Sequence, residues 1–192
     1  MIERFLRAKH WQVFLVTCGL PYLFQLILMP TMMVGNSFVS SLNLLLIITI
    51  VCAFILFGWL WSVAIGLQSK IPVEVKMNVR RFKTFLLFTV VYLCVFSVYM
   101  SSLFNSIGLV HINNVETMFG MFWIILPLHL FCIFCMFYCL YFVAKTFKTV
   151  ELQREAMFSD FAGEFFLFWF FPVGVWIVQP KINKMIQDNE WL

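Results

Sequence analysis

Charge is what this sequence has least of. Of 192 residues only 11% are Asp, Glu, Lys or Arg, and none lies between His10 and Gln68. From Thr84 to Ala144 there is one, Glu116. A soluble globule needs a polar coat, so 63% hydrophobic residues and a mean hydropathy of +0.96 exclude one and leave lipid as the main solvent. Catalytic signatures are also missing: there is no phosphate-binding glycine loop, nucleophile elbow or zinc-protease helix. The absence of acids from the long apolar runs argues against a proton-coupled transporter or a charge-lined channel. No inverted repeat of the kind many transporters carry is evident.

The charges that do occur are ordered. A spanning helix takes about 20 apolar residues. Four such runs fit the chain at about 11–33, 42–67, 84–104 and 118–144. Threading them back and forth puts all thirteen Lys and Arg residues on one side, which the positive-inside rule makes the cytoplasm. Both termini then lie inside. The same clusters, rather than a nucleic-acid surface, account for the net charge of +4. The basic start (Arg4, Arg7, Lys9) imitates a signal peptide, but the apolar stretch is too long for one and holds Pro21 and Pro30. We read it as a first span kinked at Pro21. An uncharged turn at 35–41 follows, and Trp59 and Trp61 suit the headgroup boundary at the end of span two. Asn113 and Glu116 have capping-box spacing ahead of span four.

Beyond the spans, 145–160 mixes charged and apolar residues at near-helical spacing, predicting that span four continues as an amphipathic helix on the inner surface. The run 161–180 is long enough for a fifth span, but that would strand Lys181 and Lys184 outside, so a re-entrant or interfacial tail segment is preferred. Pro172 with Gly174, and Gln179 with Pro180, read as breakers within it. Residues 71–80 alternate apolar and polar, which predicts extended chain: an ordered loop, or a strand open to addition by another protein.

Few side chains suggest chemistry. Gly58, Ser62 and Gly66 form a small-residue groove on span two, suited to close helix packing within the chain or between subunits. His129, Cys132, Cys135 and Cys139 share most of one stripe on span four and are metal-ligand types, although one helix offers at most two of them to one ion. The six cysteines otherwise read as free buried thiols. Gln12, Gln25 and Asn43 read as glue between helices. Glu164 either sits at the surface beside Lys145 or Lys148, or is a partly buried carboxylate holding the tail to the bundle. Arg4 and His10 have a spacing seen in some RNases, without a soluble bundle to use it.

The stretch EFFLFWFFPVGVWIVQPKINKM (Glu164 to Met185) resembles the ending of a loose set of small uncharacterised multi-pass membrane proteins of bacteria. It covers about a tenth of the chain and carries no chemistry to transfer. The expectation is an all-α membrane protein with four transmembrane helices, a cytoplasmic amphipathic helix and the tail segment. It would lie in the bacterial inner membrane and serve as a non-enzymatic scaffold, regulatory subunit or oligomeric effector. Its partners would be the lipid bilayer and either another protein or a second copy; no nucleic-acid contact and no cofactor is implied. A pore formed by oligomerisation, or a thiol- or metal-dependent membrane enzyme, are the alternatives.

Overall fold

The computed structural model of the protein describes residues 2–34, 38–107 and 115–187. Its ordered elements there are helical: α1 (Ile2–Arg7), α2 (His10–Phe14), a π-helical turn (Leu15–Gly19), α3 (Leu20–Val34), α4 (Phe38–Gly66), a 3-10 turn (Gln68–Lys70), α5 (Val79–Ile107), α6 (Val115–Leu152), α7 (Phe158–Trp169) and α8 (Phe171–Gln187). Among the described residues four segments are long and apolar enough to cross a membrane: His10–Pro30, Val39–Lys70, Val79–Asn105 and Phe122–Leu152.

Local chemistry explains the irregular places. Pro21 has no N–H to give the Thr17 carbonyl, and the widened turn at Leu15–Gly19 absorbs the mismatch. The Thr17 hydroxyl donates back to the Val13 carbonyl at 2.6 Å. Gln12 serves as a cap, its Oε1 accepting from the Lys9 N–H at 2.9 Å. Residues 71–78 are non-helical and held by turns, with the Val75 N–H on the Pro72 carbonyl at 3.0 Å. Among the described residues this stretch forms no strand.

Several boundaries differ from expectation. Helix α4 already begins at Phe38, inside the expected turn, while residues 35–37 and Asn113 of the expected capping box lie outside the described residues. The expected surface helix at 145–160 is two pieces: α6 runs on to Leu152, and the chain turns at Gln153, whose φ of 51° is left-handed. That backbone is costly for a non-glycine residue. It is held because Gln153 Nε2 donates to the carbonyls of Val150 (2.7 Å) and Lys70 (3.4 Å), tying the end of α6 to the turn after α4.

The tail is a helical hairpin. Pro172 falls in the first turn of α8, where a missing N–H costs little. Gln179-Pro180 does not break the helix as expected. Buried residues recur at Phe171, Gly174, Val175, Val178, Gln179 and Ile182, a helical period that leaves Pro180 on the exposed face.

Burial is concentrated at the charged end. Phe57 to Leu67 of α4, Phe82 and Leu86 of α5, Cys139 to Val150 of α6 and the inner faces of α7 and α8 make one core, while the rest of the spans show exposed apolar side chains. The expected boundary residue Trp59 sits inside this core at 1% exposure, between Phe168 and Phe171. Trp61 is the one near a charge, with Lys83 Nζ 5.5 Å from its ring centre.

Candidate functional site

The most elaborate constellation joins the tail to the start of the chain. Gln179, fully buried, accepts the Trp59 indole N–H at 2.7 Å through Oε1. Its Nε2 donates toward the carbonyls of Phe5 (3.0 Å), Leu6 (3.3 Å) and Ala8 (3.0 Å), and lies 3.2 Å from Asn183 Oδ1. Carbonyls at the end of α1 have no helical partner, and the two N–H groups of one amide are shared among them. Asn183 Nδ2 adds a bond to the Ala8 carbonyl at 3.2 Å. Trp176, on the outward side, meets the His10 ring at 4.7 Å and Phe14 at 5.7 Å. His10 is thus in an aromatic contact with the tail.

An ionic chain runs across three helices beside this clasp. Lys148 of α6 contacts Glu164 of α7 at 3.0 Å and Glu151 at 2.6 Å, and Glu151 also meets Lys181 of α8 at 3.3 Å. Glu164 is a partner of Lys148 and a mostly covered carboxylate, 12% exposed in its side chain. Lys181 further lies 6.0 Å from the centre of the Phe147 ring. At the start of α7, Asp160 accepts from the Met157 N–H and from Arg154, both at 3.0 Å. The Met157 bond first, then Arg154, holds its carboxyl below the usual range. Lys145 does the same for Glu155 at 2.8 Å.

Among the described residues, backbone meets backbone at Gly174. A Cβ on Gly174 would overlap the Leu167 carbonyl and lie 3.1 Å from Leu167 Cα, so the α7–α8 hairpin closes backbone to backbone. The Gly58–Ser62–Gly66 groove is occupied from within the chain. Phe5 packs 3.5 Å from a Cβ at Gly58, while Leu6 and Ile2 fill the space over Gly66. Ser62 donates to the Gly58 carbonyl at 2.7 Å.

The histidine and cysteines of span four are not gathered. Among the described residues no three His, Cys, Asp or Glu side chains converge as a metal site would require. His129 Nδ1 instead lies 2.9 Å from the Tyr92 hydroxyl, and Cys132, Cys135 and Cys139 are buried. Asn43 works as glue: it accepts from Ser101 Oγ at 2.9 Å and reaches Asn105 at 3.4 Å, linking α4 to α5.

An open cleft of about 720 Å³ lies next to the clasp, lined by Lys70, Glu151, Gln153, Lys181, Lys184 and Met185. Its lysines are largely engaged, Lys70 with the Met185 carbonyl and Lys181 with Glu151. Lys70 thereby meets the carboxyl end of α8, where a cation is favoured.

These elements define a multi-pass helical membrane protein whose polar interactions are concentrated at one end. No protein-family model, curated protein or solved structure matches the chain.

Proposed function

We propose that the chain is a non-enzymatic scaffold or regulatory subunit of the bacterial inner membrane, with both termini in the cytoplasm and with the clasped end as its working surface. One observation carries the reading. The Gln179 clasp and the Lys148–Glu164 pair lock the tail hairpin onto α1, α4 and α6, while the described portions of the four spans, between the basic clusters, hold no charged group. A pump or a charge-lined pore places its charged groups along the path; here they sit at the end. The outward faces of α7 and α8 carry Phe166, Trp169, Phe170, Trp176 and Ile177, large apolar groups suited to the acyl–headgroup boundary. This supports a tail lying in the inner leaflet. The resemblance of that tail to the ending of small bacterial multi-pass proteins fits the same location.

Reconstitution into liposomes tests the reading. The expected result is potassium and proton flux no greater than in empty vesicles. Flux that rises with the amount of protein would overturn it in favour of a pore. Orientation is checked with a cysteine placed at Lys76, which a membrane-impermeant maleimide should reach only after the cells are permeabilised.

A further inference from the structure

His129 is the polar group that the clasp does not absorb. On α6 the nearest charged residues in sequence are Glu116 and Lys145, so His129 stands 13 and 16 positions from them, roughly 20 and 24 Å at the helical rise. It is therefore midway along the apolar stretch. Its Nδ1 is taken by the Tyr92 hydroxyl at 2.9 Å, and its ring packs on Phe96 at 5.7 Å. The residue is nonetheless exposed, and among the described residues nothing meets Nε2. In hydrocarbon no water is available for such a group, so a hydrogen-bonding partner must come from another helix.

We propose that the α5–α6 face around His129 is the docking surface for a second copy of this chain, with the two His129 rings joined Nε2 to Nε2 across a two-fold axis. The site is complementary to itself. One ring must donate from Nε2–H and accept at Nδ1, and the other must do the reverse. Tyr92 permits both, because its hydroxyl donates to an unprotonated Nδ1 and accepts from a protonated one. Tyr92 is then a positioning residue that fixes each tautomer. Around the rings the face is apolar and lies open, with Leu126 one turn before His129 and Ile133 one turn after it on α6. A two-fold contact of this kind closes on itself as a dimer.

This inference rests on the helices being membrane spans. The test is disulfide crosslinking in native membranes, using a chain whose six cysteines are replaced by alanine and which keeps His129. Leu126→Cys or Ile133→Cys should give a covalent dimer on mild oxidation, and Ile27→Cys, on the exposed side of α3, should not. Adding His129→Phe should lower the dimer yield at least tenfold. Two differently tagged copies of the unmodified chain should co-purify, which keeps the proposal testable if the cysteine-free chain fails to fold. Equal crosslinking at Ile27, an unchanged yield with His129→Phe, or tags that never co-purify would each overturn the dimer. Such a result in membrane-bound protein sinks this inference alone, whereas protein recovered without membranes or detergent sinks the reading beneath it.

Discussion

Replacing Gln179 by leucine keeps the volume nearly constant and removes only the amide, so it isolates the clasp. The Trp59 indole N–H loses its acceptor, and at least one carbonyl at the end of α1 loses its donor, since Asn183 reaches only Ala8. A buried polar group left unpaired costs about 1–3 kcal/mol, so two give about 2–6 kcal/mol. For a chain of this size about 1 kcal/mol moves Tm by about 2–4 °C, and the drop should be at least roughly 4 °C. Thermal unfolding in mild detergent, followed by tryptophan fluorescence, measures it. Limited proteolysis should show α1 released at the same time. In a Trp59→Phe background the same substitution should cost less, because the orphaned indole is gone. An unchanged Tm for Gln179→Leu, or equal costs in both backgrounds, would refute the reasoning.

Other perturbations probe separate joints. Gly174→Ala should destabilise the hairpin by more than the about 1 kcal/mol typical of point changes, because backbone must move; amide exchange across α7 and α8 reports it. Glu164→Gln should cost about 1–2 kcal/mol, since Lys148 keeps Glu151 while α7 loses its charged anchor, readable in the same melts. Asp160 and Glu155 have carboxyl groups held below their unfolded values, so their contribution is present at neutral pH and is lost as pH falls through and below the ordinary carboxylate range. Proteolytic cutting near Gln153 to Met157 should therefore rise on acidification, and Asp160→Asn should flatten that rise.

The four long helices were legible because hydrocarbon imposes a strict rule on charge, and residues 10–68 obey it with no exception. The tail was not. Local signs at Pro172, Gly174 and Pro180 speak of turning backbone, yet the first lies in a helix's opening turn, the second permits a tight hairpin and the third sits on an exposed face. Gln179 entered the sequence reading as half of a breaker because its partners, Trp59 and the α1 carbonyls, are 120 and more than 170 residues away. The Gln179 and Asn183 spacing of four was the one local clue, marking two amides on a single face. Trp59 and Trp61 are two apart and look alike as letters, and only tertiary packing assigns one to the core and the other to the lysine beside it. The Gly58–Gly66 groove stood out in the sequence by its spacing of small residues, but its occupant, α1, is more than 50 residues away along the chain.

Pairing the first helix with the last also sets a timetable. At about 5–20 residues per second, α8 leaves the ribosome roughly 9–35 s after α1, and the carbonyls that Gln179 will engage have no mate in the meantime. The spans must enter the bilayer before the end they share is closed. A nascent chain cut short ahead of Gln179 would thus insert normally and yet never seal, presenting quality-control proteases with a loose amino-terminal segment.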